Sequence, residues 1–315
     1  MGWITYSVRR LLISVFVLFV ASILIFSIVR LIPGDPARVF LGPTADQEAV
    51  DTLRVQLDLH LPIYEQYLNW IAGVLTGNWG NSLINDIPVF DLVLIRFPRS
   101  IQLAIFSLII GVIISLPLGL LAALQPNSGR DYAALFFSQF GMSVPSFWLG
   151  IILMLVFGRY LGVLPASGYV SPMEDPVAAV SHMIMPAFAL GTINAAVLTR
   201  FLRSEILEQR GKEYVLTARA FGHYKGTILR KYVLKNALIP YMTNLGIQFG
   251  WVLGGVVIIE VVFSYPGLGR LVLDGLLNRD YPVIQMGLLV LISTYVLVNL
   301  VVDLTYSVLN PKIRY

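Results

Sequence analysis

The sequence predicts an all-α membrane protein with six transmembrane helices, and three observations carry that expectation. The chain is 57% hydrophobic over 315 residues. Only 13% of its residues are charged, about half of the roughly 25% typical of a soluble domain. Its apolar residues also fall into runs of the about 20 residues that a helix needs to cross a bilayer. These runs lie at about 10–30, 100–124, 133–157, 183–202, 241–263 and 283–309, each closed by charge, Pro or Gly.

The first run follows MGWITYSVRR, which looks like the basic start of a signal segment. The apolar stretch from Leu11 to Val29 is longer than a signal core. Arg30-Leu31-Ile32-Pro33 follows it instead of a small-residue cleavage site. A retained first span is expected. Tyr6 stands where a myristoylation signal requires Ser or Thr.

A long loop, about 31–99, comes next. Structureless loops of this length are uncommon, and the polar stretches ADQEAVDTLRVQLDL and YEQYLNWIAGVL predict short helices within it. Trp70 and Trp79 are of the type that anchors at a membrane interface. The second span carries Gly111, Ser115, Pro117 and Gly119, the third Pro145 and the fourth Pro186. Spans tolerate such residues when neighbouring helices satisfy the freed backbone groups. In the fifth, Gly246, Gly250 and Gly254 share one face, which allows a close backbone approach. Between the fifth and sixth spans, GRLVLDGLL predicts one short helix after the Pro266-Gly267 turn.

The net charge is +4. In an apolar chain this reflects the excess of Lys and Arg in cytoplasmic loops, not nucleic acid. With both termini in the cytoplasm, most Lys and Arg fall on the inner side, including the run from Arg200 to Lys235. That placement predicts a multi-pass protein of the cytoplasmic (inner) membrane, in contact with lipid. Two segments are expected: 1–99, the first span with its long extracytoplasmic loop, and 100–315, a five-helix core containing the inner loop 203–240.

Catalytic constellations are missing. There is no Cys, so no thiolate site or cysteine nucleophile. Gly211-Lys212 is followed by Glu213, which cannot be a Walker A phosphate loop. His60, His182 and His223 are scattered and read as surface or interfacial residues, not metal ligands. Ionisable groups within spans are few, Glu260 and Asp303 among them. A proton-coupled carrier working alone would need more, and would be expected to show an internal repeat.

The inner loop contains EYVLTARAFG, residues 213–222. Glu213 in the first turn and Arg219 in the last suit a helix dipole. Gly222 fits the left-handed position that ends a helix. Tyr214, Ala218 and Phe221 form an apolar stripe. From the residues alone, this short helix fits three roles: lying on lipid headgroups, acting as an elbow between spans, or docking a partner.

YVLTARAFG followed by KNALIP resembles the EAA loop of ATP-binding-cassette (ABC) import permeases, in the form found in the dipeptide/oligopeptide/nickel family. Leu216-Thr217-Ala218 stands where the general signature has Glu-Ala-Ala. Other blocks fit in order: LIPGDPA (31–37), LPIYEQYLNWIAGVLTGNWGNSL, VPSFWLG, VLPASGY, YPGLGRLV, NRDYPVIQ and the terminal LNPKIRY. The resemblance implies a type I ABC importer permease without catalytic activity. It further implies a coupling helix seated in an ATPase cleft, through Glu213, Tyr214, Thr217, Ala218, Arg219, Ala220, Gly222, Asn236 and Pro240. Gly250, Gly254, Glu260, Pro266 and Gly267 become candidates for a gate or translocation path. Implied partners are a second permease subunit, two ABC ATPase subunits that carry ATP and Mg, and an extracytoplasmic substrate-binding protein. No cofactor is implied on this chain. Peptides are the expected cargo, with glutathione, nickel chelates or oligosaccharides as alternatives and a stand-alone secondary transporter as a more distant one.

Overall fold

The computed structural model describes residues 3–31 and 34–309, and among these the chain is helical, with no β-strand. Ile32 and Pro33 of the LIPGDPA block and all but Leu309 of the terminal LNPKIRY lie outside the described residues. In chain order the helices are α1 (Trp3–Leu31), α2 (Pro36–Leu41), α3 (Gln47–Gln56), α4 (Ile63–Thr76) and α5 (Val89–Leu124). They continue with α6 (Gly129–Ser143), α7 (Ser146–Leu153, running on as π-helical turns to Tyr160), α8 (Pro176–Arg210) and α9 (Glu213–Ala220). α10 (Lys225–Thr227) leads through a π-helical stretch, Ile228–Leu234, into α11 (Lys235–Val262). α12 (Leu268–Leu277) and α13 (Tyr281–Leu309) complete the chain.

Five helical stretches are long and apolar enough to cross a membrane: Thr5–Ile28, Val89–Leu124, Pro176–Arg210, Lys225–Val262 and Tyr281–Thr305. Their outer faces are apolar. Leu12, Phe16 and Leu24 of α1 and Ile113 of α5 are more than half exposed, a surface suited to lipid and not to water.

The expected third span, 133–157, is not one helix. α6 and the α7 stretch meet at 97°. The cause is local: Pro145 pushes the residue before it out of the helical region. Val144 is accordingly extended, with φ −88° and ψ 121°. A sixth crossing exists only as this broken pair. The other spans run past their apolar cores. α5 begins eleven residues before the expected 100, because Asp91, Arg96 and Arg99 end an apolar run without breaking a helix. α8 likewise continues through LRSEILEQR.

The chain divides into two compact units. One comprises Ile101–Tyr265 and the end of α13 from Val301. Here α5, α6, α7 and α11 pack against α8, and small residues make the contacts close. A Cβ at Gly191 of α8 would lie 2.6 Å from the Ser107 carbonyl oxygen, and one at Gly119 would lie 3.1 Å from the Thr199 oxygen. Gly141 faces Ala196 in the same way. Thus Gly111 and Gly119 lie in the seam of α5 against α8, a membrane packing mode, while the Ser115 hydroxyl meets the Tyr241 hydroxyl of α11 at 2.7 Å. The α11 glycines behave differently. A Cβ at Gly246 would meet Val302 of α13 at 2.4 Å, whereas Gly254 faces open space and Gly255 packs on Leu190.

The other unit comprises Ile4–Ser100 and Pro266–Leu300. The long loop forms α2, α3 and α4 there. Asp35 caps α2 through the Ala37 amide and pairs with Arg54, which also holds Asp51. Asp280, 1% exposed, accepts from the Ser82 hydroxyl and the Leu83 amide. The Ser100 hydroxyl accepts from the Leu268 amide at the start of α12, 2.7 Å away. Trp70 and Trp79, expected at an interface, pack half-buried beside Val89, Val93 and Met286.

Candidate functional site

The site is built around α9, between the end of α8 and the start of α10. A Schellman motif ends α9. The Gly222 amide donates to the Arg219 carbonyl and the His223 amide to the Ala218 carbonyl, at 3.0 and 3.2 Å. This geometry requires a left-handed residue after the cap, and Gly222 supplies it with φ +75°. Glu213 opens the helix, and its carbonyl accepts from the Thr217 hydroxyl at 3.0 Å.

The buried face of α9 is not the expected Tyr214–Ala218–Phe221 stripe. Val215 and Ala218 are buried, at 0% and 5% exposure, whereas Phe221 is 80% exposed. Phe221 is the cap, where the chain has already left the helical turn that would aim it inward. Val215 and Ala218 enter a cluster with Leu202 and Ile206 of α8, Ile228 and Val233 of the π-helical stretch, and Ala237 and Tyr241 of α11. Leu216, Thr217, Arg219, Ala220 and Phe221 remain exposed.

Tyr214 ties this helix to both neighbours. Its hydroxyl donates to Gln209 Oε1 at 2.6 Å, stands 3.3 Å from the Tyr232 carbonyl, and accepts from Asn236 Nδ2 at 3.3 Å. Asn236 donates more strongly to the Tyr232 carbonyl, at 2.7 Å. The sequence thus places Tyr214 and Asn236, 22 residues apart, at one junction. Pro240 lies inside α11, one turn beyond Asn236, and takes no direct part in that junction.

The helix on which α9 is mounted is itself anchored. Arg203 of α8 donates through Nε and Nη2 to the two carboxylate oxygens of Asp131 of α6, at 2.5 and 2.6 Å. Asp131 is 1% exposed and also accepts from the Asn127 amide at 2.9 Å. Arg210, the last residue of α8, donates to the Ala123 carbonyl at the end of α5, 2.6 Å away. Lys212 pairs with Glu208 at 2.8 Å, and that hydrogen bond raises the Lys212 ammonium above its ordinary range. The sequence reading missed Asp131, Arg203, Arg210 and Val215. Only Val215 left a local signal, its i, i+3 spacing to Ala218.

The candidate gate residues are divided. Gly250, Gly254 and Glu260 lie on α11; Gly250 is buried and Glu260 is 0% exposed. Pro266 and Gly267 belong to the other compact unit, where Gly267 caps α12.

α9 is thus closed by its own hydrogen bonds and seated by two buried side chains. It presents an exposed face on a rigid mount. Residues 115–315 match the family described as binding-protein-dependent transport system inner membrane component, and residues 3–104 match its N-terminal counterpart. The chain belongs to this family and is a multi-pass permease of the ABC importer class.

Among its relatives is the dipeptide transport system permease protein DppB of Alkalihalophilus pseudofirmus, 38% identical over 99% of this chain and 100% of the relative. Another is the glutathione transport system permease protein GsiC of Escherichia coli K12, 39% identical over 99% of each. A solved amino acid ABC transporter, crystallised with histidines, shares the fold with a TM-score of 0.50, at 16% identity, covering 70% of this chain and 94% of that one.

Proposed function

We propose that this chain is the membrane subunit of an ATP-driven importer of di- or oligopeptides, and that α9 is the element through which partner ATPases drive it. The observation that carries the cargo assignment is the near full-length similarity to DppB and GsiC. Glutathione is itself a peptide, so both relatives favour the same cargo class.

The mechanism follows from the mount of α9. ATP is bound and hydrolysed by two partner subunits; this chain contributes no catalytic group and binds no cofactor. A partner that grips the exposed face, including Thr217, Arg219 and Ala220, pushes against Val215 and Ala218. These residues pass the displacement to Leu202 and Ile206 of α8 and Ala237 and Tyr241 of α11. The Tyr214–Gln209–Asn236 junction keeps α9 from sliding relative to both helices. ATP shifts the inward–outward equilibrium only to the extent that it binds one state better. A rigid connection from α9 to α8 and α11 is what lets that difference reach the spans.

In this reading both termini are cytoplasmic, the membrane is the cytoplasmic one, and a second, similar permease completes the pathway. An extracytoplasmic binding protein delivers the cargo. Gly250, Gly254 and Glu260 of α11 are then candidates for the path, and Pro266 and Gly267, in the other unit, for an outer gate. The test is uptake of a labelled dipeptide into proteoliposomes. Uptake should require the co-purified ATPases, ATP and the binding protein. Uptake by this chain alone would identify a secondary transporter and refute the proposal.

A further inference from the structure

The unit formed by Ile4–Ser100 and Pro266–Leu300 holds a cavity of about 260 Å³ that the coupling mechanism does not use. It lies among the end of α1, the turn between α3 and α4, α4 itself, and the first turn of α13. Arg30, Asp58, Gln66, Trp70, Tyr281 and Gln285 are among its lining. Its size is just below the roughly 300–1,000 Å³ of small-molecule pockets, which suits a dipeptide and excludes a folded partner.

Two lining residues are polar, buried and unpaired. Tyr281 and Gln285 are 3% and 6% exposed. The Tyr281 hydroxyl and Gln285 Nε2 have no hydrogen-bond partner among the described residues. Buried polar groups are nearly always paired, because leaving one unpaired forfeits its hydration without replacement. Here two such groups stand four residues apart, on one face of α13, and both can donate a hydrogen bond.

Arg30 adds a cation held in place. Its Nε donates to Gln66 Oε1 at 2.8 Å, and its guanidinium lies 3.6 Å from the centre of the Phe26 ring. Gln66 is oriented in turn by donating to the Leu61 carbonyl at 2.8 Å. Asp58 brings the opposite charge. It is held in a left-handed conformation, φ 56°, and accepts from Asn69 at 3.2 Å. The Trp70 side chain supplies an apolar wall.

We propose that this cavity binds a small zwitterion, with its carboxylate received by Arg30, Tyr281 and Gln285 and its ammonium directed to Asp58. Short peptides have this chemistry. That the bound peptide is also the transported one rests on the function proposed above.

The experiment is titration of the full chain in lipid nanodiscs with Ala-Ala, followed by the fluorescence of its tryptophans and by calorimetry. Ala-Ala should bind the wild type. Ala-Ala amide, which lacks the carboxylate, should bind about tenfold more weakly or worse. Tyr281→Phe and Gln285→Met should weaken Ala-Ala binding by a similar factor while leaving the thermal stability of the unliganded chain unchanged or raised, because neither lost group had a partner.

No binding of Ala-Ala at millimolar concentration would overturn the inference. So would equal affinity for Ala-Ala and its amide, or a Tyr281→Phe chain that is less stable when unliganded. Uptake by the complete importer, measured separately, keeps the two proposals apart. Uptake with no binding to the nanodisc refutes the cavity alone. Binding with no uptake leaves the cavity standing and refutes the transport reading.

Discussion

Arg203 and Asp131 form a bidentate ion pair between α8 and α6, with contacts of 2.5 and 2.6 Å around a carboxylate that is 1% exposed. Removing one member of a buried pair leaves the other charge uncompensated, at a cost of about 3–5 kcal/mol, whereas replacing both by apolar groups is often neutral. Arg203→Met is therefore expected to lower thermal stability in detergent strongly. The double variant Arg203→Met with Asp131→Leu should recover most of that loss. Equal stability of wild type and Arg203→Met would remove the pair from the mount of α9.

Gly222 holds φ +75° at the end of α9. A β-branched residue is strained in that conformation, whereas Asn tolerates it. Gly222→Val should insert normally yet lose most ATP-driven uptake, and Gly222→Asn should retain it. Immunoblots of membrane fractions beside uptake assays check both outcomes.

Tyr214 joins three partners through one hydroxyl. Tyr214→Phe keeps the ring but loses hydrogen bonds worth about 0.5–1.5 kcal/mol each. The expected result is a modest fall in stability, with normal co-purification of the ATPases and less uptake per ATP hydrolysed. Measuring ATPase and uptake rates on the same proteoliposomes checks this. An unchanged ratio would show that the junction does not transmit force.

The glycines divide by surroundings. A Cβ at Gly191 would lie 2.6 Å from the Ser107 carbonyl oxygen, and one at Gly254 would meet nothing within 4 Å. Gly191→Ala should cost about 1–3 kcal/mol by overpacking, read as a lower unfolding temperature. Gly254→Ala should leave that temperature unchanged in the isolated chain.

Much of this architecture was legible in the sequence, because membrane spans obey a simple length and hydropathy rule. The short helices of the long loop were legible from their polar, helix-compatible composition. The break at Val144 was not, although Pro145 marked it. An apolar run does not reveal whether a proline is accommodated within a span or ends one. At α9, the Gly222 stop and the Glu213 start were local signals. The buried face of α9 was misassigned because the docking of Val215 is decided by α8 and α11, not by the helix itself. Asp131 and Arg203 stand 72 residues apart, and no local pattern links them.

A partner ATPase is expected to grip α9 at its exposed face. The chain has no cysteine, so Ala220→Cys provides a unique chemical handle on that exposed face. The measurement is thiol cross-linking of the assembled complex, followed by identification of the attached subunit. The expected result is a cross-link to an ATPase subunit and protection of this position from a soluble maleimide when the ATPases are bound. Equal maleimide labelling with and without the ATPases, and no cross-link to them, would contradict it.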